Sequence, residues 1–188
     1  TVVKPTAAGP GLCADFSPKP LPDQPGSGFH INMSVKGPGE NRMHHMMGGI
    51  LRHVSDMTRF LNPSPQSYSR LGVCKAPKYI SWSNNNRSML IRIPAAAGEY
   101  RRVELRSPDC TANPYLAFAL LIWAGLDGIQ NEIDLPEKAN VNLYTAEPRD
   151  IGDMETLPLS LGAAIKRAEE SEFIRAHLPE SLIACYKN

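Results

Sequence analysis

The sequence predicts an α+β domain: an antiparallel β-sheet with helices packed on one of its faces. Two stretches alternate with the period of a half-buried strand. After Gly28, residues Phe29, Ile31 and Met33 fall on one face and His30, Asn32 and Ser34 on the other. Across 100–106, Val103 and Leu105 oppose Arg102, Glu104 and Arg106. Two longer stretches, 40–61 and 114–131, carry helical rather than strand spacing. A third strand, 88–93, is joined to 100–106 by a loop short enough for a hairpin, which sets those two strands antiparallel.

Taken in order, residues 1–27 are rich in Pro and Gly and read as extended segments and turns, with a short edge strand over 16–21. Pro25-Gly26-Ser27-Gly28 reads as a tight turn into the first alternating strand. In 40–61 the apolar positions Met43, Met46, Met47, Ile50, Leu51, Val54, Met57 and Leu61 form one helical stripe, and Asn62-Pro63 ends it. His44 and His45 are adjacent on that helix, so they point about 100° apart and are packing or solvent-facing residues. Residues 64–75 read as irregular, and 79–83 as a strand that Asn84-Asn85-Asn86 turns into Arg87. Asn113 is a good helix cap and Pro114 suits the first turn of 114–131. That helix is apolar almost all round and is expected to be buried against the sheet. A Pro-rich connection over 135–158 leads to short helices at 160–168, 171–177 and 180–186, with Ser160 as a cap.

Composition narrows the functional classes. With 188 residues, 42% hydrophobic and 21% charged, the chain can bury one sizeable core. A formal charge of only +1 argues against general electrostatic binding to nucleic acid or membrane. No run approaches the roughly 18–20 apolar residues of a membrane span. Cys13, Cys74, Cys110 and Cys185 are widely spaced without a CxxC pair, which suits reduced thiols better than a zinc ribbon or a disulfide framework.

Against that balance, residues 87–109 hold Arg87, Arg92, Arg101, Arg102 and Arg106 against two glutamates, Glu99 and Glu104, with Asp109 closing the stretch. A strand that buries its aliphatic face and lines up Arg-Glu-Arg on the other desolvates guanidinium groups, and an anion compensates that cost. Glu104 is either the structural ion-pair partner of those arginines or a metal ligand beside a polyphosphate site. Taken alone, His30 reads as a hydrogen-bonded strand histidine.

The ordered motifs make the sequence resemble the C-terminal part of the glutamine synthetase catalytic domain. They are Lys19-Pro20-Leu21 with Gly26-Ser27-Gly28-Phe29-His30 and Ser34, then Asn62-Pro63 with Ser67-Tyr68-Ser69-Arg70-Leu71. Asn86-Arg87-Ser88 with Ile91-Arg92-Ile93-Pro94 follows, then Arg102-Val103-Glu104-Leu105-Arg106 with Pro108-Asp109. Ala112-Asn113-Pro114-Tyr115-Leu116 and Ala124-Gly125-Leu126-Asp127-Gly128-Ile129 complete the set. The resemblance implies a ligase that joins glutamate and ammonia with ATP through an acyl phosphate, in a cytoplasmic homo-oligomer of nitrogen metabolism. It implies that His30 and Glu104 ligate one divalent ion, Mg2+ or Mn2+. Arg87 and Arg92 would act in catalysis on the ATP phosphates, with Arg102 beside them and Ser34 on the nucleotide. Gly26, Arg70 and Arg106 would bind the substrate acid.

The sequence also departs from the family pattern. Lys75 stands where a flap glutamate is expected, and a cation neither attracts ammonium nor takes its proton. Pro25 replaces an expected asparagine, Asn32 an expected histidine, and the loops at 72–75 and 95–99 are each a residue short. A γ-glutamyl ligase using a larger amine such as a polyamine, or a non-catalytic nucleotide-binding regulatory relative, are the alternatives. Asn142-Leu143-Tyr144 resembles a segment that bacterial members modify, and Tyr144 is assigned a structural role. The expected organisation is the C-terminal half of the catalytic sheet-and-helix domain at 1–138 and a mainly helical extension at 139–188. The metal-ligating glutamates expected upstream of Thr1 lie outside the sequence, so the isolated piece is expected to be inactive.

Overall fold

The computed structural model describes residues 2–37, 41–96 and 98–187, with Glu99 described by its backbone alone. The expected helix start at Glu40 and position 97 of the expected hairpin loop lie outside the described residues. The elements run α1 (Val3–Ala8), β1 (Ile31–Met33), α2 (Arg42–Leu61), α3 (Pro65–Arg70), β2 (Trp82–Asn84), β3 (Ile91–Ile93) and β4 (Val103–Leu105). After these come α4 (Pro114–Gln130), α5 (Pro148–Ile151), α6 (Leu161–Glu170), α7 (Glu172–His177) and α8 (Glu180–Cys185).

The α+β class holds, with strand order β1-β4-β3-β2. β4 pairs antiparallel with both β1 and β3. The sheet is nevertheless mixed, because β2 runs parallel to β3. The Asn-rich turn does not reverse the chain as a hairpin would. Asn85 takes a left-handed backbone (φ 57°), its N–H reaches the Ile93 carbonyl at 2.9 Å, and residues 85–90 carry the chain back beside its start. Such a short crossover is possible because each strand is only three residues long.

Registration produces two opposite faces. Ile31, Leu105 and Ile91 stand in one row, and all three are buried in a core shared with α2 and α4. Asn32, Glu104, Arg92 and Ser83 stand in the next row, on the face away from those helices. This is the period-2 division expected from the sequence.

α2 buries the expected stripe, with Met47, Ile50, Val54, Met57 and Leu61 fully enclosed. α4 is capped as expected: the Asn113 carboxamide oxygen accepts from the N–H groups of Tyr115 (3.0 Å) and Leu116 (3.4 Å). Its main neighbour is α2 rather than the sheet. The helices cross where Gly49 meets Gly128; a Cβ on Gly128 would collide with the His45 carbonyl and come within 2.7 Å of the Gly49 nitrogen. One face of α4 (Ala117, Leu120, Leu121, Ala124) is buried by this contact. The opposite face is open, with Tyr115, Ile122 and Trp123 exposed, so the expectation of all-round burial is corrected. Trp123 on that face meets the His177 ring of α7 at 4.7 Å between centroids.

Three local expectations also change. No strand forms over 16–21, and the N-terminal region holds α1 instead. Residues 64–75, expected to be irregular, contain α3, started by Ser64 and Ser67 in a reciprocal capping box with Pro65 in the first turn. The Pro-rich connection contains α5. The three C-terminal helices form where expected, with Ser160 accepting from the Ala163 N–H at 3.2 Å. α6 and α7 sit on α2, and Ala168, Ile174 and Leu178 join the same core. All four cysteines are free and exposed, and no described helix is long and apolar enough to cross a membrane.

Candidate functional site

The polar row of the sheet converges on Glu104, whose side chain is 13% exposed. Its Oε1 lies 3.5 Å from His30 Nδ1, while Oε2 lies 3.3 Å from both Arg92 Nε and Arg106 Nε. β4 supplies the acid, β3 supplies Arg92, and the segment entering β1 supplies His30. Residues far apart in sequence thus meet because β1 and β3 flank β4. The two guanidinium contacts are close in distance but misaligned for hydrogen bonding. Glu104 Oε2, Arg92 Nε, and Arg106 Nε and Nη1 are buried without a hydrogen-bond partner. Such atoms are costly unless a ligand engages them.

Beside this row lies a cavity of about 170 Å³, lined by Gly26, Gly28, His30, Arg70, Lys75 and Arg106 among others. A Cβ at Gly26 would run into the Pro18 carbonyl and the Arg70 side chain. One at Gly28 would stand 2.7 Å from Arg70 Nη2 and 3.0 Å from His30 Nε2. The glycines therefore let the backbone approach the cationic wall. Arg70 is 2% exposed and donates from Nη1 to the Ser107 carbonyl (2.7 Å) and from Nη2 to the Arg106 carbonyl (3.3 Å). It holds the segment after β4 in place as well as facing the cavity. Asn62 reinforces that segment, donating to Ser107 O (2.9 Å) and to the fully buried Asp109 carboxylate (3.0 Å). This bracing role of Asn62 and Asp109 was not read from the sequence, where both appeared only as motif residues.

The electrostatics follow from the charge count. Burial, then the Arg106 guanidinium, pull His30 below the ordinary imidazole range and outweigh Glu104. A neutral imidazole has a lone pair available to a Lewis acid. Burial also lowers the pKa of Arg70 and Arg106, though a guanidinium remains charged at neutral pH. An excess of cations beside one acid suits an anionic ligand.

The remaining expected site residues are more dispersed. Arg87 is exposed on the β2–β3 connection and faces Arg106. Arg102 donates from Nε to Asn32 Oδ1 at 3.2 Å, at the end of the polar row. Ser34 lines a largely apolar cavity between β1 and α4. For a divalent ion the fit is partial. His30 and Glu104 are suitable donors side by side, and Glu104 Oε2 is unsatisfied, but among the described residues no three His, Cys, Asp or Glu groups gather into a metal-holding set.

A mixed sheet with helices on one face and a carboxylate ringed by guanidiniums on the other defines an α+β domain with a charged groove. Family comparison is specific: the description "Glutamine synthetase, catalytic domain" matches residues 1–188, and the chain belongs to that family. It is 42% identical to the glutamine synthetase of Methanosarcina mazei, with 98% of this chain and 45% of the relative covered. It is also 42% identical to that of Pyrococcus furiosus, with 100% and 45% covered. Two solved GmaS structures share the fold. One, an ADP complex, matches at a TM-score of 0.84 and 32% identity, covering 98% of this chain and 46% of its own. The other, without ligand, matches at 0.84 and 33%, covering 98% and 45%. The chain thus spans a little under half the length of these relatives.

Proposed function

We propose that residues 1–188 are the C-terminal part of the catalytic domain of an ATP-dependent carboxylate–amine ligase. The observation that carries this is the meeting of His30, Glu104, Arg92 and Arg106 on one sheet face. The γ-phosphoryl of ATP passes to a carboxylate oxygen of the acid, releasing ADP and leaving an acyl phosphate. An amine nitrogen then attacks the acyl carbon, the bond from that carbon to the phosphate oxygen breaks, and phosphate and a proton leave. Arg87, Arg92 and Arg102 neutralise phosphate oxygens during transfer, and Arg106 and Arg70 orient the acid in the glycine-floored cavity. His30 and Glu104 would contribute two ligands to Mg2+ or Mn2+, with the others supplied outside these residues; when bound, the ion supplies electrostatic neutralisation of the phosphates. The ADP complex of a GmaS neighbour supports a nucleotide in this fold.

Glutamate is the acid and ammonia the amine that family membership supports. Lys75 stands in the cavity wall, and among the described residues no carboxylate lines that cavity to attract or deprotonate ammonium, so the second reading is a larger amine held by groups outside these residues. A non-catalytic nucleotide-binding role is the third outcome. The test uses full-length protein with ATP, Mg2+ and glutamate, measuring phosphate release with ammonia and with polyamines. Ammonia-dependent release supports glutamine formation and polyamine-dependent release the second reading. ATP binding without amine-dependent release removes the ligase assignment.

A further inference from the structure

We propose that Tyr144 is a positioning residue: its hydroxyl, through the Arg87 carbonyl, holds the Arg87 guanidinium over the arginine groove. The proposal rests on the reading of Arg87 as a phosphate contact. Tyr144 OH donates to Arg87 O at 2.6 Å, the one hydrogen bond made by Arg87 among the described residues. The Arg87 side chain is exposed and makes no ion pair there, yet it faces the like charge of Arg106. Repulsion between guanidiniums drives an exposed, flexible arginine outward unless its backbone is fixed.

The segment 141–145 supplies that fixation. Asn86 donates from Nδ2 to Val141 O (2.9 Å), and Leu143 N–H donates to Ser88 Oγ (3.0 Å). Ser88 is itself tied to Asn86 Oδ1 at 2.8 Å. Asn142 shapes the strap by accepting from the Tyr144 N–H at 3.1 Å. These contacts join residues on either side of Arg87, so they keep the two segments together without Tyr144. Among the described residues, only the tyrosine hydroxyl bonds to Arg87 itself. Tyr144 is 36% exposed and lies near Arg70 and Arg106, while desolvation raises its pKa and keeps the donor proton in place.

The geometry separates positioning from folding. In full-length protein, Tyr144→Phe should weaken ATP binding about fivefold, the worth of one ordinary hydrogen bond, and leave adenosine binding unchanged. Calorimetric titration with each ligand reads both. In an Arg87→Ala background, Tyr144→Phe should produce no further loss of ATP affinity. Unchanged ATP affinity in Tyr144→Phe overturns the proposal. So does an equal loss for adenosine, or a fivefold loss that persists without the Arg87 side chain. If Arg87→Ala binds ATP normally, the premise about Arg87 fails and takes the proposal with it. If the unaltered protein binds no ATP, the ligase reading itself fails.

Discussion

Replacing Glu104 by Gln removes one negative charge from the groove with little change in shape. Oε2 is 3.3 Å from two Nε atoms, which at an effective dielectric near 20 is an attraction of about 5 kcal/mol for each pair before desolvation. Much of that is cancelled by the cost of burying the groups, Arg106 being 4% exposed. Losing the acid leaves the cations uncompensated, and the expected net destabilisation is about 3 kcal/mol, the lower part of the range for breaking a buried pair. An external anion should then substitute for the missing carboxylate. Inorganic phosphate at a hundred times its dissociation constant contributes about 2.7 kcal/mol, close to the loss. Thermal unfolding of the full-length protein in metal-free buffer, at rising phosphate concentration, measures both quantities. The variant should melt lower without phosphate and recover most of the difference with it, while the unaltered protein gains much less. A variant as stable as the parent without phosphate, or one that phosphate fails to rescue, refutes the idea that Glu104 compensates an anion-seeking pair of arginines.

Other consequences are open to direct measurement. Gly128→Ala should destabilise by about 2 kcal/mol in a denaturant or thermal melt, because helix propensity returns only about 1 kcal/mol against a backbone collision with α2. Gly162→Ala on α6, with open space around it, should instead stabilise slightly; equal effects from the two would refute the close helix crossing. His53 Nε2 lies 2.8 Å from Asp127, with Nδ1 4.0 Å from Asp56, and its ring stacks on Phe173 of α7. Burial pulls its pKa down, but hydrogen bonds to Asp56 and Asp127 outweigh that and leave it raised. The resulting stabilisation is complete below about pH 6.5 and lost as pH rises through the folded value. Hydrogen exchange in α6 and α7, corrected for intrinsic rates, should therefore accelerate over that window and lose this dependence in His53→Gln; persistence in the variant assigns it to another group. Lys75→Glu should raise ammonia-dependent phosphate release by the full-length protein, and no change counts against a role for the residue 75 charge in choosing the amine.

Much of the fold, and the facing of its charged residues, was legible in local pattern. Alternation around Ile31 and Val103 separates aliphatic from charged faces whatever their neighbours are, because successive strand residues point oppositely. The Met and Leu stripe of α2 and the caps at Asn113 and Ser160 are likewise properties of short stretches. The tertiary structure decided which stretches became neighbours. It made β2 parallel to β3, since the turn at Asn85 depends on a bond to distant Ile93. It seated α4 on α2 by a glycine-to-glycine approach, leaving open a face whose composition reads as core. It set Ser34 against the cavity beside α4 and brought Tyr144 to Arg87. The residues by themselves determined what could be buried and what charge had to be answered; only the packed chain decided which groups stand within reach to answer it, because distance and desolvation exist only once the strands are side by side.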